Sequence, residues 1–195
     1  MLNPRSGRQL RYTPAQISTR NEGNEPIIAC YFAVFNSPVE LWRGCIEQIA
    51  PGAFASSLGG DVRALINHET RLVLGRTTAN TLILREDETG LYGEIKINPQ
   101  DTDAMNLYSR VQRGDVSQCS FGFDIRSEDY VEDPSAHTCT WTIRDLILYE
   151  VSVVTFPAYE ATSAVARDSD GVTSLQTTRR ERRKKELLER IEKIC

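Results

Sequence analysis

Ser120, His68 and Glu150 are the side chains of this sequence whose types could combine into one piece of chemistry. Ser120 falls in Val-Ser-Gln-Cys-Ser-Phe-Gly-Phe, residues 116–123. Alternation there predicts a strand with Cys119, Phe121, Phe123 and Ile125 on a core face and Ser120 and Gly122 on the other. Gly122 leaves room beside the hydroxyl for something to approach closely. A serine nucleophile needs a base to take its proton and a third group to orient that base. Histidine suits the base role near neutral pH, and His68 stands at a strand end. Glu150 interrupts an apolar run, between Leu146-Ile147-Leu148-Tyr149 and Val151-Ser152-Val153-Val154. A carboxylate there must be paired, hydrogen-bonded or exposed at a bend, because burying it alone is costly. Its partner is either an arginine, Arg76 or Arg144, or His68, which it would then orient. Each residue also has a plain structural reading: a half-exposed strand serine, a strand-end histidine with an ordinary hydrogen bond, and a paired glutamate.

Other chemistries lack their residues. There are two histidines, and His137 reads as a solvated loop residue. No His/Cys cluster has ligand spacing, so no metal is expected. Phosphate-cradling GxxxxGK[ST] and GxGxxG runs are missing, so no cofactor is expected either, and the lack of a GxSxG elbow argues against an α/β-hydrolase. The five cysteines, at 30, 45, 119, 139 and 195, form no CxxC, which predicts reduced thiols acting mostly as small core hydrophobes. Net charge is −4, yet residues 168–195 carry eight Lys/Arg against six Asp/Glu, so the acidity sits in the body and argues against nucleic-acid binding. No apolar run has membrane-span length and the N-terminus lacks a secretion pattern, which predicts work in the cytosol or in something assembled there.

The elements that must position the three residues are mostly strands. Residues 1–24, broken by Pro4, Gly7, Pro14 and Gly23, read as a flexible arm. Residues 27–35 read as a buried strand, followed by strands at 42–49 and 62–68, the last carrying His68 just before a polar 69–71 turn. Further strands are predicted at 72–77, 81–85, 91–97, 139–148 and 150–156, the last two being either separate or one bent strand, with an acidic loop at 127–137. Asp101 or Thr102 caps a helix ending at Arg113, with Gly114 as its stop and Ala104, Leu107, Tyr108 and Val111 as its apolar stripe. The body, 25–167, is therefore expected to be mainly β (α+β) and mostly antiparallel, closer to a barrel or bent sheet than to a βαβ architecture. Residues 168–178 read as a linker and 179–195 as a basic amphipathic helix with Leu187, Leu188, Ile191 and Ile194 on its stripe.

Several stretches, taken in order, resemble one family: Ile49-Ala50-Pro51-Gly52-Ala53-Phe54, Asn67-His68, Val73-Leu74-Gly75-Arg76-Thr77, residues 113–123 around Ser120, and residues 150–159 from Glu150. They are similar to the prohead (capsid-maturation) proteases of tailed bacteriophages, distant relatives of the herpesvirus assemblins, over roughly residues 26–167. The resemblance implies an assemblin-like antiparallel β-barrel with flanking helices, and a serine endopeptidase acting inside the immature capsid in the host cytoplasm. Its partners would be the major capsid protein, whose scaffolding segment it removes, and itself, by self-cleavage. A homo-oligomer is compatible with this. His68 carries over as general base and Ser120 as nucleophile. The assemblins use a second histidine, but His137 lies outside every matching stretch, so the third role goes to Glu150. Arg76 is an oxyanion candidate by its place in its stretch. Read apart from the resemblance, the tail is either a docking helix, with the linker before it a region of self-cleavage, or a solvated, frayed C-terminus. The rival reading is a non-catalytic capsid-assembly factor of the same fold. A cysteine peptidase at Cys119 conflicts with the facing of its strand.

Overall fold

Residues 25–34 carry apolar side chains at successive positions rather than alternate ones, so both faces of this strand need covering. The computed structural model, which describes residues 5, 7–13, 17–23 and 25–156, covers both. In chain order its strands are β1 (Gln9–Thr13), β2 (Ser18–Glu22), β3 (Glu25–Val34), β4 (Val39–Trp42), β5 (Cys45–Ile49), β6 (Arg63–Ile66), β7 (Glu69–Arg76), β8 (Leu82–Glu86) and β9 (Gly90–Lys96). Helix α1 (Thr102–Arg113) follows, then the long strands β10 (Gln118–Asp133) and β11 (Thr138–Val154). One sheet is four-stranded and antiparallel, in the order β2-β3-β9-β8. The other is built on the β10–β11 hairpin. β1 joins the outer edge of β10, while β11 takes β5 and then β6 in parallel along its other edge, and β4 and β7 extend those two. The core lies where Ile28 and Phe32 of β3 meet Phe54, Phe121, Phe123 and Val153, all essentially without exposure. The rings of Phe54 and Phe121 meet edge-on at 5.5 Å.

The helix forms as its local signals dictate. Asp101 accepts hydrogen bonds from the backbone N–H of Asp103 and Ala104 at 3.0 and 3.2 Å. Gly114, at φ 83°, closes the last turn, and Ala104, Leu107, Tyr108 and Val111 are the residues it buries. Asp101→Ala is expected to cost about 1 kcal/mol through the lost cap. Urea unfolding should show this as a lower midpoint at unchanged slope.

Several expectations are corrected. Among the described residues the sheets stay open, with β1, β4, β7, β2 and β8 at their edges, so no closed barrel is found there, and α1 is the one α-helix. Residues 9–13 and 18–22, expected within a flexible arm, are edge strands, and edge strands can be polar because one side meets water. Residues 127–133, expected as loop, continue β10 as an exposed hairpin arm, leaving a turn of only 134–137. Residues 138–154 are one strand. Cys45 and Cys139, read as reduced, are joined by a disulfide. Their 94-residue separation hid the pairing, which the parallel register of β5 and β11 creates by setting them side by side. No helix among the described residues is long and apolar enough to cross a membrane. The expected linker at 168–178 and helix at 179–195 lie outside the described residues.

Candidate active site

A register slip in the β10–β11 hairpin sets the site. Ser120 lies opposite Ser152, and Gly122 opposite Glu150, but the next pair is Phe123 with Leu148, so Tyr149 is an extra, bulged residue. Leu146 and Leu148 face the core before the bulge, and Val151 and Val153 face it afterwards. Unbroken alternation would have carried Glu150 to the core with Leu148. The extra residue reverses the phase and turns Glu150 and Ser152 to the face that carries Ser120. Gly122 is the space into which the carboxylate fits, because a Cβ there would collide with Glu150 Oε1.

His68 arrives from the next strand over. β6 runs parallel to β11, with Ile66 opposite Val153, and the chain then reverses through Asn67 and His68 into β7. Both turn residues are left-handed, at φ 50° and 62°, the geometry that matches the twist of a two-residue hairpin. A histidine held this way costs on the order of 1 kcal/mol, so other contacts must secure it. Asn67 donates its N–H to the Val153 carbonyl at 3.0 Å, and its side-chain oxygen accepts the Thr155 N–H at 2.8 Å. The expected 69–71 turn is instead the start of β7, so His68 sits in the reversal itself rather than ahead of it.

The polar groups converge without arginine. His68 Nδ1 lies 2.7 Å from Glu150 Oε1, and the Ser152 hydroxyl donates to Glu150 Oε2 at 2.6 Å. With the carboxylate ionised it can only accept, so Nδ1 carries the proton and Nε2 presents a lone pair. His68 Nε2 and Ser120 Oγ are both buried, and neither has a hydrogen-bond partner among the described residues. Ser120 is 0% exposed, so the plain reading of a half-exposed strand serine does not hold: β10 is covered on both faces here. Tyr12, opposite Ser120 on β1, meets the His68 ring edge-on at 6.1 Å. A cleft of about 380 Å³ borders His68, lined by Tyr12, Asn67, Val154, Thr155 and Phe156.

The other sequence candidates fall elsewhere. Arg76 makes two 2.6 Å hydrogen bonds to Asp61, holding that carboxyl down at about 2, and Arg144 pairs with Asp129 at 2.7 Å. Neither is a partner of Glu150, and Arg76 is committed to Asp61. His137 occupies the exposed turn at the opposite end of the hairpin from Ser120. Cys119 is buried on the core face with its Sγ 2.7 Å from that of Cys30, whose thiol burial pushes up, so neither sulfur reaches the His68 side. Sequence reasoning missed Ser152 and Tyr12. Ser152 had a signal, its i+2 spacing from Glu150 on one strand face, while Tyr12 had none because its strand was not expected.

A family model described as caudovirus prohead serine protease matches residues 13–176. The prohead protease of Enterobacteria phage HK97 is 31% identical over 179 residues, spanning 89% of this chain and 74% of the phage protein. Among solved structures, the capsid assembly protease of bacteriophage T4 aligns with a TM-score of 0.42 at 9% identity, covering 76% of this chain and 99% of that one.

Proposed function

This chain belongs to the caudovirus prohead serine protease family, a family of capsid-maturation proteases, and on that premise we propose that Ser120, His68 and Glu150 form its catalytic triad. The observation that carries the proposal is that His68, from the turn between β6 and β7, engages Glu150 on the face of the β10–β11 hairpin that also carries Ser120. Glu150 orients the imidazole through Nδ1, while Nε2 and Ser120 Oγ are buried side-chain atoms with no hydrogen-bond partner among the described residues. Unpaired buried polar atoms are costly, and functional sites are where such costs persist. In the reaction, Nε2 takes the Ser120 proton as Oγ attacks the scissile carbonyl. The imidazolium, stabilised by Glu150, then protonates the leaving amine, and water activated by the same nitrogen releases the acyl group. Since Ser120 has no exposed surface, a substrate carbonyl entering from the cleft beside His68 must displace a neighbour, and Tyr12 borders both.

The substrates are the scaffolding segment of the major capsid protein and the chain itself, cleaved inside the prohead. The test is co-expression with the cognate major capsid protein, followed by intact mass and treatment with a fluorophosphonate probe. The expected result is a shortened capsid protein and one adduct, mapped to Ser120. Particles that form with uncleaved capsid protein and an unlabelled Ser120 would instead identify a non-catalytic assembly factor.

A further inference from the structure

Ser152 makes two hydrogen bonds whose directions are fixed by chemistry. Its oxygen accepts from the His68 backbone N–H at 3.3 Å, since an amide nitrogen can only donate. Its proton goes to Glu150 Oε2 at 2.6 Å, since a carboxylate can only accept. Glu150 Oε1 in turn faces His68 Nδ1 at 2.7 Å. These three bonds run from the backbone of His68, through Ser152 and Glu150, back to the ring of His68. Ser152 is fully buried opposite Ser120, so water does not compete for its bonds.

We propose that Ser152 is a positioning residue of the triad, one that fixes both the left-handed turn presenting His68 and the rotation of the Glu150 carboxylate. The proposal rests on the reading of His68 and Glu150 as base and orienting acid. The hydroxyl at 152 holds one carboxylate oxygen so that the other stays against Nδ1, and the engaged Nδ1 leaves Nε2 as the nitrogen available to Ser120. Removing it leaves one carboxylate oxygen and one backbone N–H unpaired in a buried site, and the carboxylate free to rotate away from the ring. The effect should fall on turnover rather than substrate binding, because Ser152 is buried behind the groups that would meet a peptide.

The experiment compares wild type, Ser152→Ala and Ser152→Thr in the full chain, with Ser152→Cys as a near-isosteric substitute should the alanine variant fail to fold. One readout is the downfield proton NMR resonance of His68 Nδ1–H, which depends on its bond to Glu150 and not on turnover. The other is kcat and KM for cleavage of purified major capsid protein. In Ser152→Ala, or Ser152→Cys in its place, the resonance should broaden away and kcat fall about 10–100-fold at unchanged KM, as for supporting residues of other sites. Ser152→Thr should recover the resonance and most of the rate. A wild-type resonance and kcat in Ser152→Ala or Ser152→Cys would overturn the proposal. So would a loss that Ser152→Thr fails to recover. Wild type that shows the resonance yet neither cleaves nor labels would defeat the catalytic reading, while the NMR comparison still decides the role of Ser152.

Discussion

Ser120→Ala should abolish peptide cleavage while leaving the protein as stable as before, or more stable by about 1 kcal/mol. Both halves follow from the same atom. Ser120 Oγ is completely buried and has no hydrogen-bond partner among the described residues. A hydroxyl in that state carries a desolvation cost of about 1–3 kcal/mol, and alanine removes it with the loss of a single small atom. Turnover, by contrast, loses its nucleophile. In serine proteases that loss reaches about 10⁶-fold, with residual rate coming only from binding and charge stabilisation. Thermal unfolding and single-turnover cleavage of the capsid protein, measured on the same preparation, check the two parts together. A variant destabilised by more than about 2 kcal/mol would mean that the hydroxyl supports the fold. A variant that still cleaves would move the nucleophile away from Ser120.

The parts of this molecule that sequence reveals are those whose causes are local. Asp101, the stripe from Ala104 to Val111, and Gly114 specify α1 within one short segment, and the structure places each as expected. The same holds for the core face of β10, where Cys119, Phe121 and Phe123 are buried together. What stayed hidden depends on pairing between distant segments. Residues 9–13 look like a polar tail until β10 offers them an edge. Asn67-His68 carries no glycine, so its left-handed turn is visible only through the bonds from β11 that hold it. The bulge at Tyr149 is the sharpest case. A glutamate in an apolar strand is recognisable as an anomaly, but whether it meets an arginine or a histidine depends on a one-residue slip against β10. Gly122 was legible as a place of close approach, and the structure identifies the visitor as the Glu150 carboxylate.

That close approach gives the second large effect. Gly122→Ala adds only a single methyl group, yet its Cβ would collide with Glu150 Oε1. The carboxylate can yield only by rotating about its side chain, which breaks its bond to His68 Nδ1, its bond from Ser152, or both. Activity should therefore fall about 10²–10⁴-fold, approaching the loss seen when a serine protease is deprived of its orienting acid. Stability should fall by about 1–3 kcal/mol, the range for overpacking a filled interior. A double-mutant cycle with Glu150→Ala separates this cause from general strain. With the carboxylate gone the methyl group has nothing to displace, so Gly122→Ala should cost little further activity or stability in the Glu150→Ala background. Additive losses would show that alanine at 122 disturbs the Ser120 strand directly. A single Gly122→Ala variant with wild-type turnover would mean that catalysis does not depend on Glu150 holding His68, and would remove Glu150 from the triad.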